Sequence, residues 1–139
     1  MDVQINYWAV VLATISSMVV GTVWYARGFP TGKEWIRLTK DTKKVPRSLN
    51  SSLVVAVLTS LMLAYVLAHV TYISYKFFGN SFMNAALGTA FWLWLGIALT
   101  RVAVRDSFEG RPYKLSAINA GNDLVTMLVM ALIIGWAGI

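Results

Sequence analysis

One carboxylate stands in apolar surroundings and asks for a chemical explanation. Asp123 lies about eight residues past Leu115, inside the last apolar stretch of the chain. On a helix, Asn119, Asp123 and Thr126 fall at i−4, i and i+3 and form one polar stripe, with Asn122 beside it. Eight residues are roughly 12 Å of helix. A charge at the centre of a membrane span costs about 2.5–3.5 kcal/mol, and somewhat less off-centre. The stripe is therefore expected to face other helices and not lipid. Three roles suit it. Asp123 binds a cation or proton entering from the cytoplasm, pairs with Arg101 of the preceding apolar stretch, or lines a hydrated vestibule. Arg101 lies about one turn inside its own span, at a depth compatible with Asp123 if the two spans are antiparallel neighbours.

A second polar group surrounds His69, the single histidine of the chain. Tyr65 and Tyr72 flank it at i−4 and i+3, so the three share a face nearer the outer end of the span. Such a group serves as a proton relay or pH sensor, or as a neutral hydrogen-bonded packing residue. No second histidine or carboxylate stands at helical spacing, so no metal is expected. Asp106 and Glu109 are expected in a solvated turn. There is no glycine-rich phosphate loop, no paired His-Glu motif and no serine with a histidine and acid at recognisable spacing. No catalytic residue and no cofactor is expected, and the reading leans away from an enzyme.

The elements that must position these groups are apolar. Of the 139 residues, 58% are hydrophobic and 13% charged, and the mean hydropathy is +0.63. A soluble domain typically has about 25% charged residues, so lipid must cover the surplus apolar surface. A helix needs about 20 apolar residues to cross the bilayer core. Four stretches qualify, at about residues 5–25, 53–75, 84–104 and 115–138. Lipid obliges each to satisfy its own backbone, so they are helices. The expected fold is all-α: one domain, a multi-pass antiparallel bundle of four transmembrane helices. The first stretch opens without basic residues and ends without a small-residue cleavage site, so it is read as a retained helix and not a signal peptide.

Charge sets the orientation. The first loop carries Arg27, Lys33, Arg37, Lys40, Lys43, Lys44 and Arg47, the third loop and its margins Arg101, Arg105, Arg111 and Lys114, and the second loop only Lys76. Basic residues near span ends stay inside. Both termini are then non-cytoplasmic in the inner cell membrane, and the net charge of +6 meets anionic headgroups at the first and third loops, not nucleic acid. Trp8, Tyr72, Tyr75, Phe77, Phe78 and Trp136 should mark the outer interface, and Trp24, Tyr25, Trp35 and Tyr113 the inner one. Trp92 and Trp94 lie near mid-span and should fill space between helices.

The first loop should hold a short amphipathic helix. Thr31 and Glu34 read as its capping box, and it would run from residue 32 to about 43 with Trp35, Ile36 and Leu38 on the headgroups. Pro46 should end that segment, and Asn50 and Ser51 should cap the second span. No proline interrupts a span, so broken helices are not expected. Small residues recur at spacing four: Ala13, Ser17 and Gly21; Ser60, Ala64 and Ala68; Gly88 and Gly96 about Trp92; Ala117 and Gly121. They allow close helix packing, within one bundle or between copies in a homo-oligomer.

Several segments carry a resemblance. Asn6 to Val10, Gly21 to Tyr25, Phe91 to Gly96, Phe108 to Lys114 and Ile118 to Gly121 resemble a small, mostly bacterial membrane-protein family. That family is catalogued as a domain of unknown function (number seventeen sixty-one). The resemblance implies four spans and no known activity, substrate or cofactor. Where the family often has an aromatic after its Asn-Ala-Gly stretch, this chain has Asn122 and Asp123. Three functions are compatible with the sequence: a small oligomeric transport or channel-like protein, a non-catalytic accessory or scaffold subunit, and a lipid-acting membrane enzyme.

Overall fold

The computed structural model describes residues 3–40 and 48–139. Lys43, Lys44, Pro46 and Arg47, with the readings that rest on them, lie outside the described residues. The described chain is helical throughout: α1 (Tyr7–Trp24), α2 (Pro30–Thr39), α3 (Leu49–Phe78), α4 (Phe82–Phe108) and α5 (Tyr113–Ala137). Four of these, all but α2, are long and apolar enough to cross a membrane. They overlap the four apolar stretches and run beyond most of them, because caps and not hydropathy end a helix. Asn6 accepts from the N–H of Ala9 at 3.3 Å and opens α1. Ser81 opens α4 in the same way. Gly79 adopts φ 65°, which glycine tolerates, and closes α3. The cap of α3 is Ser48, which accepts from the N–H of Ser51 at 3.3 Å. Asn50 and Ser51, expected there, lie inside the helix.

The four long helices form a square in which α1 packs on α3 and α5, and α4 on the same two. Neighbours run antiparallel. Asn6 Nδ2 donates to the carbonyl of Ala137 at 3.4 Å, while Trp24 Nε1 donates to that of Ile118 at 3.1 Å, so α1 and α5 meet end to opposite end. Small residues make the centre: Ala13, Ala64, Ala86, Ala90 and Ala131 are fully buried, with Leu67, Met130 and Ile134 between them. Ala13 of the α1 stripe and Ala64 and Ala68 of the α3 stripe thus serve packing within the chain.

The third long helix departs from regular geometry. Trp94–Leu99 is π-helical, with no proline in it. The Thr100 hydroxyl donates to the carbonyls of Gly96 and Ile97 at 2.9 and 3.1 Å, supplying partners to carbonyls in the widened turns. Trp94 Nε1 anchors the segment to the carbonyl of Ala120 at 2.9 Å. Trp94 therefore sits between helices as expected, but Trp92 is 68% exposed and faces outward.

Candidate functional site

A cleft of about 780 Å³ opens between α1, α3 and α5. It runs from Trp35 and Leu49 at one end of the bundle to Leu63 and Thr126 near mid-helix. Asn122, Asp123 and Thr126 reach it from α5, Ser17 and Thr22 from α1, and Thr59 and Ser60 from α3. The polar stripe of the fourth apolar stretch thus faces the protein side.

Hydrogen bonding decides what these walls present. Ser17 donates to the carbonyl of Thr14 at 2.7 Å, Thr22 to that of Met18 at 2.7 Å, and Thr59 to that of Val55 at 2.8 Å. Each hydroxyl proton is thereby returned to its own helix, and lone pairs are left for the cleft. Tyr25 spends its proton on Asn119 Oδ1 at 3.0 Å, which places Asn119 as a clamp between α1 and α5 beside the cleft. Asn122 Oδ1 and Thr126 Oγ1 are buried with no hydrogen-bond partner. Among the described residues no lysine, arginine or histidine lines the cleft. Ser17, Thr22 and Thr59 thus turn lone pairs toward one carboxylate, an arrangement that suits a donor or a cation.

Arg101 does not pair with Asp123. Among the described residues Asp123 has no hydrogen bond or ion pair, and the cation whose charge reaches it is Arg105. The π segment is the reason. Three regular turns take about eleven residues, which would carry Arg101 onto the inward face of Ala90. The widened turns absorb one more residue, so Val102 and Asp106 point inward and Arg101 is exposed.

Asp106 is then the residue sequence reading misplaced. It is 2% exposed and not in a solvated turn. Ser116 Oγ donates to its Oδ2 at 2.7 Å, Arg105 Nε to its Oδ1 at 3.0 Å, and Arg111 Nε stands 3.9 Å from Oδ1. Arg111 also bonds Glu109 at 2.5 Å. The cluster locks the α4–α5 connection. Its signal in the sequence is the placing of Asp106 and Ser116 ten residues apart, with a turn and three charges between.

The loop helix borders one end of the cleft through Trp35. It begins at Pro30, whose fixed φ suits a first helical position, with no side-chain cap. Thr31 donates instead to the carbonyl of Trp24 at 2.7 Å. Glu34, expected to reach back, bonds Arg37 and also Lys114 of α5 at 2.8 Å. The Lys114 ammonium, then the Arg37 guanidinium, hold its carboxyl below the ordinary glutamate range. Gly32 sits so close to α1 that a Cβ would meet the carbonyl oxygen of Ala26 at 2.1 Å. Trp35 turns from the headgroups to pack edge-on against Tyr25, ring centroids 5.2 Å apart. Lys33, Arg37 and Lys40 stay exposed.

At the opposite end Tyr65 and His69 do touch, ring centroids 5.2 Å apart, and His69 Nδ1 is buried without a partner. Tyr72 is buried, not interfacial, and Lys76 Nζ lies 5.6 Å over its ring. No charged group joins His69 there, and no set of three His, Cys, Asp or Glu gathers for a metal among the described residues. Tyr7, Trp8, Phe77, Phe78 and Trp136 are exposed at this end, and Phe108 and Tyr113 at the other. Trp24, expected at an interface, packs inward against Gly121. Two further cavities, between α3 and α4 and between α1 and α3, are lined without any charged side chain.

A family model described as "Protein of unknown function (DUF1761)" matches residues 8–135. No curated protein and no solved structure matches the chain.

Proposed function

We propose a role from the premise that the chain belongs to the DUF1761 family: it is a small transport or channel-like protein that takes a cationic solute into the cleft at Asp123. What supports this is a cleft in which Ser17, Thr22 and Thr59 return their protons to their own helices around a carboxylate with no ion-pair partner among the described residues. A low-dielectric wall strengthens the attraction between Asp123 and an entering cation. The cleft reaches only mid-helix, so solute crosses either by a rearrangement of the bundle or at a contact between copies.

In this reading the protein sits in the inner cell membrane with both termini outside. Arg27, Lys33, Arg37, Lys40, Arg105, Arg111 and Lys114 then lie at the cytoplasmic end, where the cleft opens, and meet anionic headgroups. A homo-oligomer forms through the face of Gly88, Trp92 and Gly96, where a Cβ on either glycine would meet nothing within 4 Å and Trp92 is uncovered. Purified protein in liposomes, loaded in turn with protons, inorganic cations and small organic solutes, tests the proposal. Flux of a cation by wild type, lost in Asp123→Asn, is expected. Silence toward every solute overturns it.

A further inference from the structure

We propose that the ligand of the cleft is an organic ammonium ion bearing N–H groups on an apolar body. This rests on the cation-taking role above and names its substrate class. The charge requirement comes from Asp123, and the N–H requirement from its neighbours. Asn122 Oδ1 and Thr126 Oγ1 are buried without partners. A buried polar oxygen left unsatisfied is costly, and a primary or secondary ammonium carries N–H donors for Asp123 and for such oxygens. A quaternary ammonium satisfies only the charge.

Size and lining argue against a bare metal ion. The cleft volume of about 780 Å³ falls in the range of about 300–1,000 Å³ for small-molecule sites, whereas a water takes about 30 Å³. Among the described residues Asp123 is the only acidic one lining it. The rest of the wall divides in two. Tyr25 and Trp35, in edge-to-face contact, offer aromatic surface of the kind that attracts cations. Met18, Leu53 and Leu63 offer apolar surface for the body of the ligand. An ethanolamine lipid headgroup carries the same N–H ammonium as a free amine, so the two sources must be separated by experiment.

The test is calorimetric titration of the full chain in phosphatidylcholine nanodiscs, with empty nanodiscs subtracted. The probes are 2-phenylethylammonium, its trimethylated form and 2-phenylethanol. The primary ammonium is expected to bind at least tenfold tighter than either of the others. Asp123→Asn should remove that preference, and Thr126→Val, which keeps the charge and the shape, should weaken the primary ammonium alone. Equal affinity for ammonium and alcohol, or an ammonium affinity indifferent to both substitutions, overturns the proposal. Nanodiscs of phosphatidylethanolamine separate the sources: unchanged affinity identifies a free amine, and competition identifies the lipid headgroup as the bearer of the same group. Failure here is distinct from failure of transport. Asp123-dependent flux of inorganic cations without amine binding removes this inference alone, and amine binding without any flux removes transport alone.

Discussion

At the scale of single residues, Asp123 and Asp106 exchange the roles their sequence surroundings assign them. The one amid apolar residues faces an open cleft without a partner among the described residues, and the one beside a turn is buried in a network. Their substitutions should diverge. Asp123→Asn removes a charge that costs up to about 2.5–3.5 kcal/mol at a span centre and is off-centre here. Its stability should be unchanged or raised by about 1 kcal/mol. Arg101→Ala, at an exposed site, should stay within about 0.5 kcal/mol. An ion pair between them would make both variants unstable, so denaturation of the two in the same detergent decides. Asp106→Ala leaves Ser116 and the Arg105 guanidinium without their acceptor and should cost about 1–3 kcal/mol; melting indistinguishable from wild type would contradict the network.

At the scale of elements, what was legible depended on how local the cause is. The long helices follow from apolar length, and the exposed charges of α2 follow from its period. The start of α2 was misread because Thr31 and Glu34 fit a capping box, yet both bond other elements, Trp24 and Lys114. The π segment left no proline to betray it, and one extra residue in its turns was enough to turn Arg101 away from Asp123. The Glu34 tether is testable by pH. Its folded pKa is depressed, so its contribution is complete above the ordinary glutamate value of about 4.3 and is lost as pH falls through the lower, folded value. Acrylamide quenching of tryptophan fluorescence should therefore rise on acidification as Trp35 is released. Glu34→Gln should show the raised quenching already at neutral pH, and a profile matching wild type would disprove the tether.

At the scale of the whole molecule, bundle and cleft have one origin. Alanines let the four helices close around a buried apolar centre, while hydroxyl-bearing residues at the α1–α3 seam line a gap in front of Asp123. The stripe of Asn119, Asp123 and Thr126 was readable from spacing, and the cleft was not, because its opposite walls come from residues more than fifty positions away in sequence. Since the chain has no cysteine, Ser17→Cys places a single thiol in the cleft wall. Its reaction with matched thiosulfonates, one cationic and one anionic, applied from the basic end in sealed vesicles, measures the cleft directly. The account predicts labelling at least tenfold faster with the cationic reagent, the preference disappearing when Asp123→Asn is added. A thiol that neither reagent reaches, or that reacts with both alike, would contradict a cation-selective cleft.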